Sequence, residues 1–230
     1  MSTLFHDRQE AGQLLAKKLK GYTHRENVVV VGLPRGGVPV AYEIAKVLQV
    51  PLDVCIVRKL GIPGHKELAM GAIASNGVRW LNYPLISDWQ ISSQAIEEVA
   101  AKELRELQRR DRVYRGDRDP WNVQNDCVIV VDDGLATGAS MRAAIHVIEQ
   151  QHPAEIIVAI PVAPRETVQQ FAQEVTQVIC LETPTPFHAI GLWYKNFAQT
   201  TDEEVCHLLH NSDLPPWPTA HSAMKSNPKD

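Results

Sequence analysis

Residues 128–140 read Val-Ile-Val-Val-Asp-Asp-Gly-Leu-Ala-Thr-Gly-Ala-Ser, and no other stretch constrains the fold as tightly. Val128 to Val131 are β-branched residues in a row with no polar alternation. Such a run suits a strand buried on both faces, as in the interior of a parallel sheet. Asp132 and Asp133 follow at its carboxyl end, then a short loop of glycine, small residues and hydroxyls from Gly134 to Ser140. Met141 to Ile148 reads as a helix. In an open α/β sheet, ligands sit outside the carboxyl ends of the strands. A Gly/Thr/Ser loop entering a helix N-terminus offers backbone N–H groups and a positive dipole end, which together bind phosphate. Two carboxylates beside such a cradle would repel phosphate alone. They suit a ligand that also carries hydroxyls, or a Mg²⁺ held through water. A sugar phosphate meets both conditions.

A second valine run, Val28 to Val31, ends in Gly32-Leu33-Pro34-Arg35-Gly36-Gly37 and leads into a helix from Val40 to Leu48. The spacing is not G-x-G-x-x-G, so a dinucleotide fingerprint is not supported. Glycines that let backbone N–H groups approach, with Arg35 adding charge, again describe an anion site. A third strand is expected over Leu52 to Val57. Arg58 to Leu68 follows, with Gly61, Pro63, Gly64 and the charges of Arg58, Lys59 and Lys66. That composition predicts a mobile basic lid rather than a core element. Ala69–Ala74 and Val78–Asn82 predict a hairpin across Ser75-Asn76-Gly77, because Asn-Gly favours the tight turn. Glu155 to Pro161 and Val178 to Leu181 are further strands, with a helix opening at Pro164 between them. Alternating strands and helices give an α/β fold with a doubly wound, mostly parallel sheet.

The remaining segments frame that core. Residues 1–20 read as an amphipathic helix capped by Asp7, with His6 and Arg8 as solvated residues at its start. Residues 84–125 are a helical insertion starting at Ser92 or Ser93, with Ile96, Val99, Ala100, Leu104 and Leu107 as its apolar stripe. The charge run from Arg109 to Asp119 reads as a solvated face, with a phosphate or subunit contact by Arg109, Arg110 or Arg115 as the alternative. Phe187, Trp193, Tyr194 and Phe197 cluster near the carboxyl edge of the sheet. They offer either a stacking surface for a planar base or an aromatic corner closing the core. Thr201 to Glu204 has the form of a capping box. Residues 1–212 form one domain on this reading, with a core at about 25–182 and a hood at about 183–212 that the N-terminal helix can join. Residues 213–230, rich in proline and charge, are expected to be a disordered tail.

A net charge of −4 and a pI near 6.1 argue against a nucleic-acid binder. No apolar run reaches membrane-spanning length and the N-terminus lacks a signal pattern, so a cytoplasmic protein is expected. Cys55, Cys127 and Cys180 fall in or beside predicted strands, without a C-x-x-C, and read as small buried hydrophobes. His207 and His210 lie at i, i+3 without a third ligand at useful spacing, so no metal ligand is assigned. Homo-oligomerisation stays open.

A strand, two acids and then G-x-x-T-G resembles the phosphoribosyl-pyrophosphate (PRPP) loop of the type I phosphoribosyltransferases. The resemblance covers roughly positions 25–195. It is similar most of all to predicted bacterial phosphoribosyltransferases of unassigned substrate, on the Gly-Leu-Pro-Arg-Gly-Gly loop, the Arg-Lys-Leu-Gly stretch and the aromatic C-terminal segment. It implies ribose 5-phosphate transfer from Mg²⁺·PRPP to a nitrogen nucleophile such as a nucleobase, with release of pyrophosphate. By the same resemblance Asp132 and Asp133 hold the ribose hydroxyls, and Gly134, Leu135, Ala136, Thr137, Gly138, Ala139 and Ser140 hold the 5′-phosphate. Pro34, Arg35, Gly36, Gly37 and Lys66 meet pyrophosphate, across a Pro34–Arg35 bond expected to be cis. Arg58 and Lys59 act from the lid, and Phe187, Trp193 and Tyr194 face the base. The alternative is a PRPP-binding regulator without catalysis. A phosphoacceptor domain using paired aspartates is disfavoured, because the acids lead into a Thr-Gly phosphate loop.

Overall fold

A computed structural model describes residues 4–116, 122–210 and 213–217 of the chain, with the side chains of Lys66 and Glu67 outside the description. The valine runs become β1 (Val28–Gly32) and β6 (Cys127–Val131), and every residue of both is buried. With β2 (Leu52–Val54), β7 (Glu155–Val162) and β8 (Gln177–Glu182) they form a five-stranded sheet in the order β2-β1-β6-β7-β8. Each pairing is parallel. The two-residue period of a strand then sends alternate side chains to opposite faces. Val28, Val30, Ile129 and Ile157 join one core cluster with α1 (Arg8–Lys18), α2 (Gly37–Leu48), α4 (Ser93–Arg115) and α7 (Asp202–Leu209). Val29, Val31, Val128, Val130 and Val158 join the other with α5 (Ala139–Glu149) and α6 (Arg165–Phe171). The doubly wound α/β reading holds.

This order places the site. From β1 the chain steps through α2 to β2 on one side; from β6 it steps through α5 to β7 on the other. β1 and β6 are therefore neighbours from which the chain leaves in opposite directions, and ligands bind at such a switch point. Gly32 pairs with Val131, so the two strands end level and their loops emerge side by side.

The stretch expected to be a mobile lid is instead a hairpin of β3 (Val57–Ile62) and β4 (His65–Ala74), turning at Pro63-Gly64. With β5 (Arg79–Leu81) it forms a three-stranded antiparallel sheet. The expected hairpin across Ser75-Asn76-Gly77 is the β4–β5 connection. Glycines and charges pointed to a loop, but Leu60, Ile62 and Met70 are buried and hold the hairpin to the core. Ala72 and Ala74 pack on Ala143 and Val147 of α5, so this sheet forms a wall of the molecule. Val57 belongs to β3 rather than to the end of the third core strand.

The insertion comprises α3 (Tyr83–Asp88) and α4, the latter capped by Ser92, whose side chain accepts from Ala95 N–H. Its charged end is not uniformly solvated. Arg109 and Arg110 are exposed and pair with Glu106, while Arg115 is 1% exposed. Arg115 Nε donates to both carboxylate oxygens of Asp53 at 3.0 and 3.1 Å, and Nη1 to Asp111 at 2.6 Å. That pairing turns a charged helix end inward, against the carboxyl end of β2. Residues 117–121, including Asp117 to Asp119 of the charge run, lie outside the described residues. At the start of the expected tail, Leu214 packs on one core cluster and Trp217 on the other; residues 218–230 lie outside the description. No helix among the described residues is long and apolar enough to cross a membrane.

Candidate ribose-phosphate site

Beyond β6, the chain from Asp132 to Gly138 curls around a cavity of about 310 Å³. Its wall is Asp132, Gly134 to Met141, Lys59 and Ile190. The loop is held by its own backbone. Leu135 N–H donates to Val162 O at 2.9 Å, and Thr167 Oγ1 to Ala136 O at 3.1 Å. Gly138, at φ +69°, is the N-cap of α5, and no side chain caps the helix. A Cβ there would lie 2.4 Å from Phe171 Cε2, so glycine is required by both the backbone conformation and the packing. The first N–H groups of α5 have no partner within the helix, and the exposed hydroxyl residues Thr137 and Ser140 stand beside them on the cavity wall. Uncapped N–H groups, hydroxyls and a helix dipole form an anion cradle.

The Arg-Gly-Gly loop packs directly against the acids. Leu33 N–H donates to Val131 O at 2.8 Å. A Cβ on Gly36 would fall 2.0 Å from Asp133 Oδ2, and one on Gly37 would fall 2.6 Å from Val131 O. These glycines allow the two loops to meet. The Pro34–Arg35 peptide is cis. Arg35 reaches outward to Asp202 at the start of α7, 3.8 Å away, with both side chains well exposed.

The acids are not equivalent. Asp132 lines the cavity and its Oδ1 accepts from Asp133 N–H at 2.9 Å. Burial, then the charge of Asp133, hold its carboxyl well above the ordinary value of 3.8. Burial also raises Asp133, but the Arg8 guanidinium opposes the shift. Arg8 Nε donates to Asp133 Oδ2 at 2.9 Å, and Arg8 Nη2 lies 2.8 Å from the same oxygen. The reading of Arg8 as a solvated helix-start residue is therefore corrected: it is partly buried against an acid 125 positions away in sequence. Its neighbour His6 is exposed, and its side chain pairs with the adjacent Asp7.

The other expected site residues divide. Lys59 faces the cavity, whereas Arg58 forms an ion pair with Glu103 of α4. Successive residues of a strand point to opposite faces, so the two could not act together from β3. Lys66 lies in β4, and its side chain is outside the description. Trp193 and Tyr194 are 5% and 4% exposed and pack with Phe5, Ala11 and Val162. Phe187 is half-buried beside Trp193, with ring centroids 6.2 Å apart. The aromatic segment is thus the corner that closes the core, and the stacking reading is corrected for Trp193 and Tyr194, whose rings have no free face. Tyr194 instead donates its hydroxyl to Asp133 O at 2.7 Å, supporting the acid loop from beneath. Ile190, from a short helical turn at Ile190–Trp193, is the residue of this segment that reaches the cavity. A Cβ on Gly134 would strike Ile190 Cγ2 at 2.7 Å. Ile190 carried no chemical signal in the sequence beyond its place in the expected hood.

Among the described residues, no group of three or more His, Cys, Asp and Glu could hold a metal ion. Asp132 is the carboxylate on the cavity wall, so this donor set fits a Mg²⁺ carried in by a diphosphate ligand better than a resident ion.

Comparison with known proteins bears on the same residues. A family model described as phosphoribosyl transferase domain matches residues 5–193. Two curated proteins of Mycobacterium tuberculosis, named "Putative phosphoribosyl transferase MT0597" and "Putative phosphoribosyl transferase Rv0571c", are each 46% identical over 206 residues. The match takes in 90% of this chain and 46% of each relative, so the chain spans about half the length of the curated relatives it matches. The crystal structure of TT1426 from Thermus thermophilus superposes with a TM-score of 0.80 at 41% identity, covering 89% of this chain and 97% of that one. The family match takes in both loops at the switch point and the segment that carries Ile190, and on that extent the chain belongs to the phosphoribosyl transferase domain family.

Proposed function

We propose that the chain transfers the 5-phosphoribosyl group of Mg²⁺·PRPP to a nitrogen nucleophile, a nucleobase being the acceptor that best suits this chemistry. One observation carries the reading: an acid pair at the switch point runs into an uncapped helix N-terminus around a cavity that Lys59 faces from the β3–β4 wall. A cavity of about 310 Å³ suits a sugar phosphate. The 5′-phosphate takes the N–H groups and hydroxyls of 137–140. The ribose hydroxyls meet the acid side, and pyrophosphate lies toward Lys59 and the Arg-Gly-Gly loop.

In the reaction the bond from ribose C1 to the pyrophosphate oxygen breaks and a bond from C1 to the acceptor nitrogen forms. The acceptor gives up a proton, and pyrophosphate leaves with the bonding pair. Mg²⁺, bound by the substrate, offsets charge on the departing pyrophosphate. Positive charge grows on the ribose ring meanwhile, and the carboxylate of Asp132 stabilises it more than it does the neutral ground state. Lys59 supplies charge to the leaving group. The rigid cradle supplies orientation, the largest contribution open to a protein that makes no covalent bond to its substrate.

Pyrophosphate release from Mg²⁺·PRPP across a panel of purines, pyrimidines and other nitrogen nucleophiles tests the proposal. Release that depends on one acceptor is the expected result. Binding of PRPP without release for any acceptor would favour a PRPP-binding regulator, and no binding would overturn the ligand assignment.

A further inference from the structure

Arg8 reaches the site from α1 and joins three segments far apart in the chain. Beyond its contacts with Asp133 Oδ2, its Nη1 donates to Ala198 O at 2.7 Å, and its guanidinium carbon lies 3.9 Å from the centroid of the Phe197 ring. The Arg8 and Asp133 side chains are each 12% exposed. Asp133 Oδ2 also meets Gly36, where even a Cβ would not fit. Arg8 and the Gly36 backbone thus both crowd that oxygen. Asp132 is on the cavity wall and Asp133 is not among the residues that line it.

We infer that Arg8 is a positioning residue, holding Asp133 as a fixed anion behind the cavity and leaving Asp132 as the carboxylate that meets the ribose hydroxyls. The inference rests on the sugar-phosphate reading above and divides the labour of the acid pair within it. The groups facing Asp133 are Arg8 from α1, Asp132 on its own loop, and Tyr194 from the C-terminal segment, whose phenol burial holds well above its ordinary value. Tyr194 therefore stays neutral, and Arg8 supplies the positive charge. Two adjacent buried acids without a cation share a proton. The Arg8 guanidinium against Asp133 opposes that sharing and favours the ionised pair, which lets Asp132 accept hydroxyl hydrogen bonds.

The test is calorimetric affinity for Mg²⁺·PRPP from about pH 6 to about pH 8.5, with melting temperatures alongside. The proteins are the wild type, Arg8→Gln, Arg8→Lys, Asp133→Asn, the double variant Arg8→Gln/Asp133→Asn, and Asp132→Asn. Arg8→Gln should lose about tenfold in affinity near neutral pH and show a steeper pH dependence than the wild type, because the acid pair takes up a proton more readily. Arg8→Lys should fall between the two. The double variant should bind more tightly than either single variant and without the steeper pH dependence, since a neutral amide needs no counter-charge. Asp132→Asn should lose the most. Should Arg8→Gln fail to fold, the double variant against Asp133→Asn carries the same comparison. Arg8→Gln binding with wild-type affinity and pH profile, even if it melts lower, would reduce Arg8 to a clamp on the fold and overturn the inference. A double variant as weak as Asp132→Asn would also overturn it, by showing that Asp133 meets the ligand. Absence of binding by the wild type would overturn the functional reading, and this inference with it.

Discussion

Asp132 and Asp133 are adjacent and chemically alike, yet the fold gives them different neighbours. Asp133 has a guanidinium, and Asp132 has a cavity and a neighbouring negative charge. The raised Asp132 value has a sign that can be worked out. Its carboxyl takes up a proton on folding between the ordinary 3.8 and its raised value, so folded stability falls as pH rises through that window, and the penalty vanishes below it. Asp132→Asn removes a charge that is costly to the fold and useful to the site. Thermal melts should place the variant above the wild type at about pH 7, with the gap narrowing toward about pH 4. Melting curves that coincide at both values would show Asp132 to be solvated like a surface acid. At this scale the sequence was informative about residue type and less so about reason. Gly36 reads as a glycine that admits a phosphate, and the structure has it admit Asp133. Arg8 could not be read at all, because its partner stands 125 residues on and local patterning holds no trace of it.

Among the elements, legibility follows how unbroken the apolar run is. β1 and β6 are covered on both sides, and a run of valines has few other uses. The β3–β4 hairpin packs on the α4 cluster and on α5, but its apolar residues are interrupted by Arg58, Lys59 and Gly61, which together look like a loop. Its two-residue period makes a prediction that a loop would not. Lys59 and Arg58 point opposite ways, one into the cavity and one onto Glu103 of α4. Lys59→Ala should weaken Mg²⁺·PRPP binding by about tenfold, the value of one charge-assisted contact. Arg58→Ala should leave affinity within about twofold and cost at most about 1 kcal/mol of stability, as a half-exposed ion pair does. Calorimetry and denaturant unfolding on the two variants separate these outcomes. Equal losses of affinity would mean that the strand does not keep its register when ligand binds.

Across the whole molecule, the site is assembled from segments that only the complete fold brings together: α1, the loop after β1, the β3 edge, the loop after β6 and the turn at Ile190. Sequence order marked the two sheet loops because each carries its own chemistry. The other contributors depend on closure of the C-terminal segment over the sheet, a long-range event without a local signature. The same closure continues past α7. Leu214 packs on the cluster that holds Leu52 and Val54, and Trp217 on the cluster that holds Cys55. A proline-rich stretch expected to be loose thus covers apolar surface on both layers. Both side chains are half-buried, so each recovers part of the roughly 1.5–3 kcal/mol typical of a fully buried large apolar group. Leu214→Ala/Trp217→Ala should therefore lose about 2 kcal/mol. For a chain of this size, that is a fall of about 4–8 °C in melting temperature. Because neither residue lines the cavity, affinity for Mg²⁺·PRPP measured well below the transition should stay at the wild-type value. An unchanged melting temperature would show that these residues leave the sheet in solution. A loss of affinity without a loss of stability would instead place the segment in communication with the acid loop.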